Sequence, residues 1–122
     1  MRFSLIFLAI MAALFMSQGS FARNPKDKVC KLAKNPPIPG GWTKLTGKEV
    51  RANSALKADA ETTAASLMKG RYTGCTAEKV VVTKACSQVV AGTNYEYAAK
   101  AKAKCGKKTM PFSFSHTFFA PL

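Results

Sequence analysis

The residues of this chain that could do chemistry are few: the cysteines, one histidine, and a serine beside one of the cysteines. No two cysteines have the C-x-x-C spacing of a zinc site, and His116 is the only histidine, so a metal centre would lack ligands. Ser87 or Cys86 could act as a nucleophile only with His116 as its base. We therefore expect no enzymatic activity, no metal and no cofactor. The four cysteines instead predict two disulfides, and their number alone leaves three connectivities open: Cys30, Cys75, Cys86 and Cys105.

The N-terminus predicts a secretory signal peptide. Arg2 precedes an apolar run over residues 3–16, and the small residues Ser20 and Ala22 fit a cleavage site before Arg23. The alternative, a retained membrane anchor, needs about 20 apolar residues. Removal of residues 1–22 leaves 100 residues, the size of one domain. We expect a secreted, extracellular protein that does not insert into a membrane.

The composition is strongly basic, with 19 Lys and Arg against six Asp and Glu and a formal net charge of +13. The basic residues stand singly or in pairs rather than in one arginine-rich block. Such a charge fits an anionic partner, but it also fits a simply solvated surface. The signal peptide argues against a nucleic-acid partner, as does the alternation of residues 95–104, which is typical of a packed strand.

The first half of the predicted domain is an arm followed by a helix. Prolines in residues 23–39 favour an extended arm, and Gly40-Gly41 ends it with a flexible joint. Residues 42–45 predict a short strand with Trp42 buried. Thr46 and Glu49 have the spacing of a capping box, residues 48–69 contain no glycine or proline, and Gly70 is the expected stop signal. One amphipathic helix of about six turns follows from this pattern.

The second half predicts strands. The valines of residues 79–86 are typical of a strand, and residues 110–119 offer another with several phenylalanines. Residues 93–105 place alanines and tyrosines at odd positions and Lys100, Lys102 and Lys104 at even ones. Alanine and lysine are also good helix formers. We let the period of two decide, because a strand puts all three lysines on one solvent-exposed face and leaves the alanines to face the helix.

Residues 88–92 read Gln-Val-Val-Ala-Gly and are followed by Thr-Asn-Tyr. This segment resembles the Gln-x-Val-x-Gly first hairpin of the cystatin superfamily, and the resemblance covers residues 39–122. It implies an α+β fold, a cystatin-like antiparallel sheet of four or five strands wrapped around one long helix. The implied domain spans residues 40–122, after the arm at residues 23–39.

The resemblance also implies a function: reversible, tight-binding, competitive inhibition of papain-like cysteine proteases by a monomer that occludes the active-site cleft. The segments expected to contact the protease are Ile38, Pro39, Gly40 and Gly41; Gln88, Val89, Val90, Ala91 and Gly92; and Pro121 and Leu122. The last pair stands where the family's second hairpin usually carries Pro-Trp, and no segment corresponds to the fifth strand. The alternative is a non-inhibitory basic protein of this fold that binds anionic surfaces in host defence.

The hairpin predicts the disulfide pairing by its register. If the turn centres near Val90 and Ala91, residues that face each other across the hairpin have numbers that sum to about 181. Cys75 and Cys105 meet this condition within a bulge of one residue. An extended strand holds Cys75 and Cys86 far apart. Cys86 is therefore left to pair with Cys30, which ties the arm back beside the hairpin.

Overall fold

The computed structural model describes residue 26 and residues 28–122, so the predicted signal peptide and its cleavage site lie outside the described residues. The elements follow the chain in this order: β1 (Trp42–Lys44), α1 (Gly47–Ala52), α2 (Ser54–Arg71), β2 (Thr76–Val90), β3 (Gly92–Cys105) and β4 (Lys108–Ala120). The strands form one antiparallel sheet in the order β1-β2-β3-β4. The predicted α+β class is confirmed. Within the described part of the chain no strand follows β4.

The predicted single helix is wrong in one respect, because Asn53 divides it. The capping box at its start is present: Glu49 N–H donates to Thr46 Oγ1 (3.1 Å), and Thr46 N–H donates to Glu49 Oε1 (2.9 Å). The hydrogen bonds from Thr46 hold the pKa of Glu49 below its usual value. Asn53 then leaves the helical conformation, and its Oδ1 accepts a hydrogen bond from Leu56 N–H (3.0 Å) as the N-cap of α2. Asparagine competes with the helix by bonding nearby backbone groups, which is why α1 ends here.

Gly70 is not the stop signal that the sequence predicts. It lies inside α2, which continues to Arg71. Tyr72 N–H donates to Met68 O (3.0 Å) at the helix end. The positive φ that reverses the chain falls at Gly74 (+86°), in the turn before β2. The helix therefore ends three residues before Gly74, the glycine at which the chain reverses its direction.

The core lies between α2 and the inner face of the sheet, which is the face that carries the odd-numbered residues of β3. Tyr97, Ala99, Ala101 and Ala103 are buried, while Lys100, Lys102 and Lys104 are exposed, so the predicted alternation is confirmed. The helix contributes Leu56, Ala60, Ala64 and Met68. Small alanines on both surfaces let helix and sheet approach closely, and Phe114 of β4 fills the remaining space beside them.

One polar cluster crosses this interface. The buried Tyr97 hydroxyl donates to Asp59 Oδ2 of α2 (2.7 Å) and lies 3.3 Å from Thr63 Oγ1. His116 Nδ1 is 2.7 Å from the same carboxylate oxygen. Burial is the main cause that raises the pKa of the Tyr97 hydroxyl above its ordinary value. His116 is an exposed residue of β4, and its ring nitrogen joins the cluster from the solvent side.

The hairpin of β2 and β3 pairs Val90 with Gly92, so the turn centres on Ala91. Two irregularities, between Glu78 and Val81 and between Val82 and Lys84, each add a residue to β2. The far end therefore pairs Thr76 with Lys104, one step before the disulfide Cys75–Cys105, whose Cα atoms are 4.3 Å apart. The second disulfide is Cys30–Cys86, with a Cα separation of 5.6 Å. These are the two pairs that the hairpin register predicts.

The predicted extended arm and the buried tryptophan are both wrong. Residues 28–32 form turns, Val29 is buried, and Cys30 N–H donates to Glu96 Oε1 (2.7 Å). Cys86 and Glu96 face each other on the outer side of the sheet, so the disulfide and this hydrogen bond fold the arm onto that side. Trp42 pairs with Gln88, which also points outward, so its ring lies on the face opposite the helix and is half-buried.

Candidate functional site

One end of the sheet gathers all three segments that the sequence analysis selected. Here β1 begins, β2 ends, β3 begins and β4 ends, because each neighbouring pair of strands is antiparallel. We call this the wedge end, and it consists of residues 38–41, residues 88–92 and residues 119–122. The register aligns it: Trp42 lies opposite Gln88, Val90 opposite Gly92, and Thr93 opposite Ala120.

The glycine pair forms a tight turn ahead of β1. Gly41 N–H donates to Ile38 O (2.8 Å), and Gly40 has a φ of +76°. Proline followed by a glycine of positive φ is the residue order of a type II turn, and Pro39 and Gly40 occupy those two positions. The turn leaves the Ile38 side chain 55% exposed. The predicted flexible joint is thus a hydrogen-bonded turn that presents an apolar side chain.

Gln88 connects this turn to the hairpin. Its Nε2 donates to Gly40 O (3.1 Å), and its Oε1 accepts from Asn94 Nδ2 (3.0 Å). One side chain therefore holds the β1 turn on one side and β3 on the other. The sequence analysis placed Gln88 in the site but did not predict these contacts. They fix the spacing between Ile38 and the hairpin tip.

The hairpin tip is apolar and exposed. Val89 is 68% exposed, Val90 is 48% exposed, and Ala91 is exposed at the apex. Gly92 is buried and has a φ of +122°, a conformation that residues with a β-carbon rarely adopt. A Cβ at this position would lie 2.8 Å from Ala120 O and still closer to the ring of Phe119. Both the backbone conformation and the lack of space demand glycine.

The structure adds Phe119 and Trp42 to the residues around the site. A row of paired residues crosses the outer face at the wedge end, in the order Trp42, Gln88, Asn94 and Phe119. Phe119 is 50% exposed and covers Gly92. Sequence analysis missed it because residues 118 and 119 are both phenylalanine, and the side of the sheet that each one faces was not assigned. The period of two in β4, anchored at buried Phe114, was the available signal.

The third predicted contact is the least organised part of the wedge end. Pro121 and Leu122 follow β4 without strand structure, and the Leu122 side chain is fully exposed. Ala120 pairs with Thr93, so the two residues continue from the strand edge beside the hairpin tip. They form no second hairpin.

The wedge end has side chains suited to binding another molecule. Its exposed side chains are aliphatic or aromatic, and none of its side chains can serve as a nucleophile, acid or base. The groups with shifted pKa values, Glu49 and Tyr97, belong to the helix cap and the core. Among residues 26 and 28–122, no group of His, Cys, Asp or Glu side chains is arranged to hold a metal ion, and no helix is long and apolar enough to cross a bilayer.

No protein-family model, no curated protein and no solved structure matches this chain. The features of the molecule that bear on its function are therefore the hairpin sequence and the geometry of the wedge end.

Proposed function

We propose that this protein is a secreted, cystatin-like inhibitor of papain-like cysteine proteases that inserts its wedge end into the active-site cleft. The observation that carries the proposal is the bond between Gln88 and Gly40, which joins the Gly40-Gly41 turn to a hairpin of the sequence Gln-Val-Val-Ala-Gly. Two apolar segments thereby project together from one end of a disulfide-bonded sheet. Inhibition would be reversible and competitive, and the inhibitor would act as a monomer.

Apolar contact would supply much of the affinity. Complete burial of a valine side chain stabilises a complex by about 1.5–3 kcal/mol, and Val89 and Val90 keep roughly half or more of that surface exposed. Their burial would contribute about 1–2 kcal/mol each. The wedge end is already ordered by Gln88 and the Cys30–Cys86 disulfide, so little conformational entropy would be lost on binding.

The fold supports the proposal at the level of architecture. A four-stranded antiparallel sheet packs one face on a helix, and the motif lies at its first long hairpin. Four features set this chain apart from the pattern expected of the superfamily: the helix divided at Asn53, the arm folded onto the outer face, Pro121-Leu122 in place of Pro-Trp, and no fifth strand among the described residues. In spite of these differences the Gly40-Gly41 turn and the hairpin tip lie side by side, whereas Pro121 and Leu122 form no second hairpin.

A titration tests the function directly. The purified, disulfide-bonded protein is added to papain and to cathepsin L with a small fluorogenic substrate. We expect competitive inhibition and recovery of uncut inhibitor after dissociation, because the wedge presents a turn and not a scissile bond to the enzyme. If micromolar protein leaves both enzymes fully active, the proposal is wrong, and the non-inhibitory basic protein becomes the better hypothesis.

A matched pair of variants tests the surface. Val90→Asp and Val81→Asp change valines with equal exposure, 48%, on the same strand, but only Val90 is at the tip. A carboxylate desolvated in the cleft should weaken inhibition by about 1–3 kcal/mol, roughly 5- to 150-fold. Val81→Asp should inhibit like the wild type. Equal effects of the two substitutions would show that the hairpin tip is not the contact surface.

A further inference from the structure

The outer face of β3 carries a row of lysines that the proposed inhibition does not use. Lys100, Lys102 and Lys104 are exposed, and the alanines between them are buried on the inner face. Alternate residues of a strand are spaced about 6.6–6.8 Å apart on one face. The three ammonium groups therefore project from a straight line, in the same direction, across about 13 Å.

The strand beside this row offers two hydroxyl-bearing residues, one proline and no negative charge. Lys100 pairs with Ser113, Lys102 with Pro111, and Lys104 with Thr109. Directly paired residues point to the same face, so β4 continues the surface with the hydroxyl groups of Ser113 and Thr109 on either side of Pro111. We call Lys100, Lys102, Lys104, Thr109, Pro111 and Ser113 the lysine face. Its six residues are exposed or half-exposed, and the lysines are its only large side chains.

Only one carboxylate of the described residues meets the lysine face. Glu78 pairs with Lys102 in the sheet and lies 4.0 Å from Lys104 Nζ. Glu96, farther along β3, accepts a hydrogen bond from Cys30 N–H. The other described acidic residues belong to the helices on the opposite face: Glu49, Asp59 and Glu61. The positive charge of the lysine face is thus left largely uncompensated.

These observations define the partner by its chemistry. The face suits an extended chain of negative charges that can accept hydrogen bonds from hydroxyl groups and ammonium groups. It has no aromatic ring on which a nucleic-acid base could stack. Its apolar surface is limited to Pro111 and to the neighbouring Val81, which pairs with Lys100 from β2, whereas helices that bind at a bilayer surface bury a continuous face of large apolar side chains. We propose that the lysine face binds a linear sulfated polysaccharide, whose flexible chain carries charge without bases to stack.

The lysine face and the wedge end can be occupied together. Lys100 is eight residues from Gly92 along β3, which corresponds to about 26 Å in a strand. A polysaccharide on the face would leave the hairpin tip free. The polysaccharide site can therefore be tested separately from protease inhibition, and failure of one proposal does not decide the other.

The experiment compares two triple variants of equal net charge. In the first, Lys100, Lys102 and Lys104 are replaced by Gln; in the second, the exposed helix residues Lys48, Lys57 and Lys69 are replaced by Gln. Binding of a size-defined heparin oligosaccharide is measured by calorimetry between 0.05 and about 0.3 M NaCl, a range over which charge-driven binding weakens steeply. We expect the wild type and the helix triple to agree within about threefold, and the face triple to bind at least about tenfold more weakly with a shallower salt dependence.

Several results would overturn the proposal. Equal losses in the two triples would mean that net charge alone drives binding, and absence of binding to the wild type at 0.15 M NaCl would mean that the face is only solvated. Tighter binding of single-stranded DNA of matched charge, or of phosphatidylserine vesicles, would assign the face to another partner. If the face triple fails to fold, the single variant Lys102→Glu is compared with the wild type in the same binding measurement. Papain inhibition by the face triple should equal that of the wild type.

Discussion

Gly92→Ala tests the physical basis of the hairpin tip. The substitution has two separable costs at this site. The first is the φ of +122°, and a residue held in so sparsely populated a region costs about 1–3 kcal/mol. The second is steric, because the new methyl group would lie 2.8 Å from Ala120 O and closer to the Phe119 ring. Forcing a methyl group into a packed site costs about 1–3 kcal/mol.

The expected loss is therefore about 2–6 kcal/mol, a large part of the 5–15 kcal/mol that stabilises a typical domain. Gly74→Ala is the matched control, since Gly74 also has a positive φ (+86°) but its Cβ would meet nothing within 4 Å. It should cost only the conformational term, about 1–2 kcal/mol. The loss in Gly92→Ala beyond that of Gly74→Ala contains the steric term and any extra conformational cost of a φ of +122° over one of +86°.

The assay is urea unfolding with both disulfides intact, followed by circular dichroism. Adding Phe119→Ala to Gly92→Ala should recover part of the loss, because it removes the ring but leaves Ala120 O in place. A Gly92→Ala protein as stable as Gly74→Ala, or a double variant whose loss equals the sum of the single losses, would refute the close approach of Phe119 to this glycine.

Two further predictions concern the helix end and the core. Gly70→Ala should stabilise the protein by up to about 1 kcal/mol, because Gly70 is helical and its Cβ would meet no neighbour; a destabilised variant in urea unfolding would contradict its place inside α2. Because folding raises the pKa of Tyr97, the stability it contributes is complete below its ordinary pKa of 10.0 and decreases as the pH rises above that value. Tyr97→Phe should be less stable at neutral pH by about 1–3 kcal/mol, through loss of its bond to Asp59, and that deficit should shrink above pH 10; a pH-independent deficit would contradict the burial of the hydroxyl.

The strands could be predicted because their pattern is local. In β3 the period of two decides which side chains are buried. The alternation of lysine and alanine shows this period, although both residue types favour a helix. The division of the helix was missed for the opposite reason. The apolar period continues through Asn53, and only the hydrogen bond from Leu56 N–H to its side chain reveals that a second helix starts there.

The arm was predicted correctly in its point of attachment but not in its conformation. Prolines at positions 25, 36, 37 and 39 disfavour a helix beside them but do not fix the direction of the chain. The predicted Cys30–Cys86 pair already required the arm to fold back, since Cys86 lies within β2. That pairing did not reveal that residues 28–32 form turns, which leave Val29 buried at 2% exposure.

The wedge end was predicted as a set of segments but not as a connected structure. The glycine pair and the Gln-Val-Val-Ala-Gly motif are visible in the sequence, whereas the bond from Gln88 to Gly40 joins residues 48 positions apart. Phe119 was missed because its place depends on the register at Gly92.

The organisation of the wedge end comes from alternate outward positions of β2. Cys86 holds the arm by a disulfide, and Gln88, two residues later on the same face, holds the Gly40 turn by a hydrogen bond. Asn94 closes the set from β3. None of these contacts involves Pro121 or Leu122. The strand β2, which ends at the hairpin tip, thus anchors both the arm and the Gly40 turn. The segments that present Ile38 and Val90 are therefore positioned without a second hairpin.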